Sequence, residues 1–451
     1  MSGSANGSPE SGSGLRAAGF PERAVRERAR RAAAAAFPAR QEYGSTLFGA
    51  GRPGEGEARA DVLDAARLVP PVFMPQRLER LIDLGREPLY SDVELETEIG
   101  GLHSSLPVYV SAFGSTRVAS TDLGEAASRQ AGRLGLPMVI GENVVPVGGY
   151  GRLEGDGADS GRSLLRRLHA YCADLPDGFG GIAVQQSTED ADAEVWNLVY
   201  SDPDAQELML SGRLAFELKV GQGAKPGLGG MTLVDPATAA RIGEQFALDP
   251  IFPADEGAVL RCSSPGTYTE EILRQQIRLM RNNYPRARVW VKLPPARDVA
   301  EAAALAWAAG ADAVTVDGAE GGTGWAPTAF TEHVGLPLGE CLLRIGRPAG
   351  ALLASGRIWE GARAVKALAL GARAVGLGRA ALLSVDEDPE HGLERFVECL
   401  AMEMRMLISS LGQYSPAGLG PRDLWFGSRE PRTGWSAAEL DEAVFALGSA
   451  S

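Results

Sequence analysis

From Pro107 onward, short apolar runs alternate with stretches of helical period. The runs are Pro107–Ala112, Leu136–Ile140, Gly181–Val184, Leu214–Leu218, Ala287–Val291, Ala313–Val316, Gly350–Ala354 and Arg373–Leu377. Most are continuously apolar rather than alternating, which marks strands buried on both faces, as in parallel sheets. Helical stretches such as Leu123–Leu134, Glu270–Asn282, Val299–Ala309 and Glu360–Leu370 separate many of them. Strands that alternate with helices indicate crossover connections, and eight of them predict an α/β fold of the (β/α)8 TIM-barrel type. Polar and glycine residues gather after each run, at the strand ends where such barrels carry their active sites. Residues 107–430 are thus expected to form the barrel, with a long loop insertion after the fourth strand, from Val220 to about Pro285.

The flanks differ from this pattern. Met1–Gly14 is rich in Ser and Gly and is expected to be disordered. Pro21–Gln41 carries Arg23, Arg26, Arg28, Arg30 and Arg31 before an alanine run, which predicts a basic helix. That helix reads either as a solvated tether or as a contact to an acidic surface of this protein or a partner. Gly44–Glu57 reads as a linker, so residues 1–60 form an N-terminal extension. Residues 61–106 are expected to cap one end of the barrel, with one or two short strands between Leu89 and Ile99, and residues 431–451 to form a tail.

Composition narrows the function. The net charge of −14 and the pI near 5.0 argue against a general nucleic-acid binder. A mean hydropathy of −0.08 with no apolar run of about 18 residues predicts no transmembrane helix, and no signal-peptide core is present. The four cysteines, Cys172, Cys262, Cys341 and Cys399, show neither metal-ligand nor disulfide-framework spacing. The expectation is a cytoplasmic protein with no metal, no nucleic-acid partner and no membrane partner.

Several strand ends carry candidate chemistry. Val316-Asp317 leads into Gly318-Ala-Glu-Gly321-Gly322-Thr323-Gly324, a loop whose backbone amides can cradle a phosphate or simply turn the chain. Ser355-Gly356-Arg357 and Gly378-Arg379 follow the last two strands, where barrels of this type commonly bind phosphate. Lys292 ends an apolar strand; it either stabilises negative charge beside an electron-accepting ring or extends to the rim. Lys219 and Lys225 flank Gln222, a set suited to carboxylates, or to a solvated loop. Glu142, beside Asn143, can move a proton or bond the backbone. His333 reads as structural or catalytic, and Cys262 lacks the histidine pattern of a nucleophile.

The phrases Lys219–Gly230, Cys262–Pro265, Val291–Leu293, Val316–Pro327, His333–Leu338 and Gly376–Leu383, in that order, resemble the FMN-binding synthase domain of glutamate synthase. The resemblance spans about Pro70 to Trp425. It implies FMN as cofactor, held at the strand C-termini, and hydride transfer between FMN and an amino acid or its 2-imino acid, glutamate and 2-oxoglutarate being the default. Carried over by motif, Lys292 lies near the flavin, Gly321–Gly324, Ser355, Gly356, Gly378 and Arg379 hold the ribityl phosphate, and Ser111 and Ala112 line the ring. Glu142, Lys219, Gln222 and Lys225 face the substrate.

Departures from the family pattern matter as well. No counterpart of the family's glutaminase domain is expected. The segment that holds its three cluster cysteines reads Ser384–Arg395 without cysteine, so no iron–sulfur cluster is expected. Electrons would come from a second substrate, a diffusible reductant or a partner flavoprotein; a glutaminase-like subunit is a further expected partner, and the chain is expected to form a homo-oligomer. The first-strand motif is shortened to Ser111-Ala-Phe-Gly114, and Gln185-Gln186 stands where relatives often have Lys-Gln. Amine exchange on glutamate, as in N-methylglutamate formation, a 2-hydroxy-acid oxidase and a non-catalytic flavin-binding subunit remain alternatives.

Overall fold

The computed structural model describes residues 15–36, 61–112, 122–141, 156–187, 195–226, 232–234, 236–244, 247–249, 259–261, 268–322, 330 and 333–427. Eight parallel strands close into a barrel. They are β1 (Val108–Val110), β2 (Met138–Ile140), β3 (Ile182–Ser187), β4 (Leu214–Lys219), β5 (Arg288–Leu293), β6 (Ala313–Asp317), β7 (Ala351–Ser355) and β8 (Ala374–Leu377). Each pairs with its sequence neighbour, and β8 pairs with β1 to close the ring. The eight apolar runs thus correspond one to one with the eight barrel strands.

Among the described residues, two longer helices precede the barrel, α1 (Glu22–Arg31) and α2 (Pro75–Leu84), with a single helical turn, Val62–Ala65, between them. The main helices that follow the strands among the described residues are α3 (Leu123–Arg133), α4 (Asp156–Cys172), α5 (Val195–Ser201), α6 (Glu270–Asn283), α7 (Val299–Ala308), α8 (Leu338–Ile345), α9 (Gly361–Ala369) and α10 (Arg379–Glu387). A last long helix, α11 (Gly392–Ser410), packs across α9 and α10. The insertion after β4 contains a small antiparallel sheet, Thr232–Val234, Leu248–Asp249 and Val259–Arg261.

Side-chain alternation divides the strands into two faces. Val108, Val110, Val289, Val291, Val314, Val316, Leu352 and Val375 face the helices and join the main core. Tyr109, Val139, Ala183, Ala215, Trp290, Ala313, Leu353 and Ala374 fill the barrel interior, together with Ile99 and Leu102. Those last two come from a hairpin, Thr97–Ile99 with Leu102–Ser104, that plugs the barrel interior. Its turn glycine Gly100 has φ +55, and any side chain there would strike Ala313 and the Trp290 ring. Trp290 Nε1 donates to Gly100 O at 3.0 Å. Of the one or two short strands expected between Leu89 and Ile99 the structure has one, Thr97–Ile99; Tyr90–Asp92 is a 3-10 turn, with the Asp92 carboxylate accepting the Leu89 amide.

The basic N-terminal stretch is a helix as predicted from its composition, and the described part of it is not a solvated tether. It packs against α10 and α11, which supply the acidic surface. Arg26 pairs with Asp386 at 2.7 Å, Arg30 with Glu387 at 2.6 Å and Arg28 with Glu403 at 2.7 Å.

Candidate active site

Along the strands, the inward positions change from apolar to polar on the way to the C-terminal mouth. On β4 they read Ala215, Glu217, Lys219; on β5, Trp290 and Lys292; on β6, Ala313, Thr315, Asp317; on β7, Leu353 and Ser355. The strand register sets Lys219 directly beside Lys292, and both are only 5% exposed. Two like charges at neighbouring buried positions need compensation. Lys292 Nζ lies 3.2 Å from Asp317 Oδ2, and Lys219 Nζ donates to Gln222 Oε1 at 3.1 Å. The Ser355 hydroxyl donates to Asp317 Oδ1, which fixes that carboxylate.

One layer below, two residues back along each strand, Glu217 accepts from Thr315 Oγ1 at 2.9 Å and from Gln185 Nε2. Burial pushes the Glu217 carboxyl up from its ordinary range, and the nearby Lys292 charge and the two hydrogen bonds pull it back down. Tyr109, also inward, is level with Ser355 and Gly376, where burial raises its phenol far above the usual value. Gly376 leaves room for it: a Cβ there would overlap Ser111 Oγ and the Tyr109 hydroxyl.

The loops after β6, β7 and β8 form a second region. Gly318 N donates to Ser355 O at 2.8 Å and Gly321 N to Gly318 O at 2.8 Å, so the loop after β6 folds over the end of β7. Gly356 has φ +137, and a Cβ on it would come within 3.0 Å of Gly318 N. Gly378 caps α10 and has nothing within 4 Å of its Cβ position. Arg379 opens α10; its Nη2 donates to Glu320 O, and its guanidinium lies 4.5 Å from the centre of the Phe20 ring. Burial lowers the Arg379 pKa from its usual value.

Behind these loops stands a buried ionic cluster. Arg363 on α9 donates to Asp61 and Asp64, each at 2.7 Å, to Glu320, and to Gly356 O at 3.2 Å. Asp61 also accepts from Gly339 N at 3.0 Å, and Glu320 accepts from Leu338 N at the start of α8. Burial raises the Glu320 carboxyl, and the Arg363 charge opposes the rise. The cluster locks the loop after β6 to the loop after β7 and to the segment that precedes the barrel.

The structure therefore brings Lys219, Gln222, Lys292, Asp317 and Ser355 together at the mouth, with Ser111 buried and Ala112 half-buried at the end of β1. It sets Gly321, Gly322, Gly356, Gly378 and Arg379 on the adjoining loops. Arg357, with φ +55, engages Asp64 at 3.1 Å rather than standing free over the loops. His333 is exposed. Glu142, Asn143, Cys262, Thr323 and Gly324 lie outside the described residues, as does the Lys225 side chain. Glu217, Thr315 and Tyr109 are missed by motif reading, yet each sits two residues before a residue it singles out, the spacing of one strand face.

Residues 178–387 match the family described as the conserved region in glutamate synthase. The matched residues thus lie within the barrel. An archaeal-type glutamate synthase (NADPH) of Thermotoga maritima is 35% identical over 186 residues, 39% of this chain and 36% of that protein. A glutamate synthase large subunit-like protein of Rhizobium meliloti is 35% identical over 195 residues, 40% of this chain and 42% of that one. The chain spans well under half the length of these relatives. Among solved structures, (S)-mandelate dehydrogenase of Pseudomonas putida superposes with a TM-score of 0.52 at 18% identity, covering 90% of this chain and 99% of that one. A flavocytochrome b2 variant with sulfite bound gives 0.53 at 17% identity, covering 82% and 78%. At that identity these two show a shared barrel. The matched stretch begins just before β3 and ends with α10, so it takes in the paired lysines and all three glycine loops.

Proposed function

We propose that this chain is an FMN-dependent oxidoreductase of the glutamate synthase kind, acting on an amino acid or its 2-imino acid. The observation that carries the reading is the pair of buried lysines, Lys219 and Lys292, side by side at the barrel mouth next to three glycine-rich loops. Two local features fit a bound flavin nucleotide. The Ser111 hydroxyl is buried at the mouth without a well-formed hydrogen-bond partner. Gly378, at the N-terminus of α10 and beside Arg379, leaves open the space a phosphate would need. Gly321, Gly322, Gly356, Gly378 and Arg379 would hold the phosphate end, with Thr323 and Gly324 continuing the same loop; Ser111, Ala112 and Lys292 would meet the ring.

FMN, when bound, supplies a carrier that accepts or donates a hydride. The chain's own residues do the rest. Lys292, fixed by Asp317 and shielded from water, sets a positive charge where negative charge develops during transfer. Lys219, held by Gln222, offers a charged donor to a substrate carboxylate; Lys225 serves a second carboxylate, and Glu142 orients the amino group or moves its proton. Glu217 keeps Gln185 and Thr315 in place below them. With no cysteine in Ser384–Arg395, electrons are exchanged with a second small-molecule substrate or a partner flavoprotein rather than through a cluster in that segment.

The test is an anaerobic absorbance spectrum of the purified protein before and after glutamate. Flavin absorbance that bleaches with glutamate supports the reading. Flavin that no amino acid reduces removes the amino-acid substrate, and a chain that takes up no FMN removes the cofactor. Lys292→Ala is expected to slow flavin reduction by about 100-fold or more, the scale of one electrostatic group at a reacting centre.

A further inference from the structure

Among the described residues, the barrel strands point two charges of each sign inward near the mouth: Lys219 and Lys292 against Asp317 and Glu217. Asp317 is a direct partner of Lys292. Glu217 stands one layer deeper and is only 1% exposed. A carboxylate so far from water is costly unless its surroundings compensate it.

The strand register shows what Glu217 faces. On β5, Trp290 is level with Glu217 and Lys292 with Lys219. On β6, Thr315 is level with Lys292. Strand β5 lies between β4 and β6, so the 2.9 Å hydrogen bond from Thr315 Oγ1 to Glu217 Oε1 crosses its inner face, between Trp290 and Lys292. Gln185, on β3, holds the other carboxylate oxygen through its Nε2. Both donors are neutral, so they fix the carboxylate without cancelling its charge. Burial pushes the Glu217 carboxyl up, and the Lys292 charge is the strongest of the influences that pull it back. Tyr109 shares this space: its phenol is raised first by burial and then by the charges of Glu217 and Asp317.

We propose that Glu217 is a positioning residue that sets the charge of the mouth, acting through Lys292 as the second counter-charge of the paired lysines. Its effects are of two kinds. A nearby carboxylate favours the ammonium form of Lys292 over the neutral amine. It also opposes the negative charge that a flavin gains on reduction, which lowers the flavin potential. The second effect rests on the FMN reading proposed above, and the first does not.

Two variants of the full chain separate charge from shape. Glu217→Gln keeps the shape and removes the charge; Glu217→Asp keeps the charge and shortens the reach to Thr315. In the FMN-free protein, the rate at which an amine-reactive reagent labels Lys292 at fixed pH, read by mass spectrometry, reports the neutral fraction of that side chain. Lys366, on α9, is the internal reference for an intact fold. Labelling of Lys292 should be about tenfold faster or more in Glu217→Gln, one pKa unit, and within about threefold of the natural rate in Glu217→Asp. With FMN bound, the flavin potential measured against a reference dye should rise in Glu217→Gln by about 30 mV or more, tenfold in the two-electron equilibrium, and stay near the natural value in Glu217→Asp. A Glu217→Asp shift as large as the Glu217→Gln shift, or no shift of Lys292 labelling in Glu217→Gln, makes Glu217 a structural prop and overturns the proposal. If Glu217→Gln does not fold, with Lys366 labelled as fast as in denaturant, Glu217→Asp decides alone: a natural Lys292 rate supports the charge role and a changed one overturns it. A potential that stays put while the labelling shifts supports the role of Glu217 and removes the flavin ring from beside Lys292. A natural protein that takes up no FMN removes the proposed function, and the labelling still decides for or against Glu217.

Discussion

Helices α1 and α2 both lie outside the barrel and both precede it, and they use their side chains in opposite ways. The arginine-rich helix α1 is largely covered: Arg26 and Arg28 are buried, and the Arg28 guanidinium lies 5.0 Å from the centre of the Trp359 ring. Helix α2, with Leu78 and Ile82 on one face, leaves that face open among the described residues. Composition alone predicts the reverse. What decides is the surface each helix meets. Asp386, Glu387 and Glu403 stand on α10 and α11 where the α1 arginines arrive, and arginine tolerates such burial because its planar, weakly hydrated head can satisfy several acceptors.

The sharpest way to break this comparison is Arg26→Ala. Its partner Asp386 has a side chain that is fully buried, so removing the guanidinium strands a carboxylate. A loss of about 3–5 kcal/mol is expected, read as a large fall in the denaturant midpoint. A loss below about 1 kcal/mol would mean that α1 is held as loosely as an ordinary surface ion pair. Phe20→Ala comes next. Phe20 lies under Arg379, the first residue of α10, so the N-terminal segment touches the proposed phosphate end directly. A cation–π contact of about 0.5–2 kcal/mol predicts that FMN binds roughly 2–30-fold more weakly. Riboflavin, which lacks the phosphate, should bind unchanged. Equal weakening of both would make the contact a general prop of the fold.

The same contrast explains what was legible in the sequence. The eight strands were visible because each is buried on both faces and so reads as an uninterrupted apolar run. The mouth residues Lys219, Lys292 and Asp317 were visible because a polar residue closing such a run breaks the pattern at the point where barrels place their chemistry. Glu217 was not, because a single acid inside an apolar run looks like an interruption until the two-residue period aligns it with Lys219. The cluster of Asp61, Asp64, Glu320 and Arg363 was illegible for another reason: its members are separated by up to 302 positions, and no local rule joins Asp61 to Arg363. The fate of α1 was open for that same reason, since its acidic partners lie more than 350 positions away.

Smaller effects concern how α2 and its neighbourhood are built. Helix α1 ends on Ala32 and is held by distant ion pairs, whereas α2 ends on Gly85 in the left-handed conformation, φ +64, with no atom near its Cβ position. Gly85→Ala should therefore cost about 1 kcal/mol by backbone strain alone, without any steric clash. Chemical denaturation of the two proteins measures it, and an unchanged midpoint would show that the turn relaxes freely.

The smallest expected effect is at Asp92, just beyond α2. Arg86 holds its carboxylate through two hydrogen bonds of 2.6 and 2.7 Å, and the Leu89 amide adds a third, so its pKa falls to about 2. A carboxyl whose folded-state pKa lies below its unfolded value of about 3.9 binds fewer protons when folded. Its contribution is thus complete above about pH 4 and is lost as pH falls toward 2. Asp92→Asn should lower Tm modestly at pH 6, and the gap between the two proteins should narrow between pH 4 and pH 2. Added salt should narrow it at pH 6 as well, because Arg86 is solvent-exposed and its charge is screened. A gap independent of both pH and salt would mean that Asp92 serves only as a neutral acceptor for the Leu89 amide, and that the turn after α2, like the end of α2 itself, is fixed by backbone geometry without help from charge.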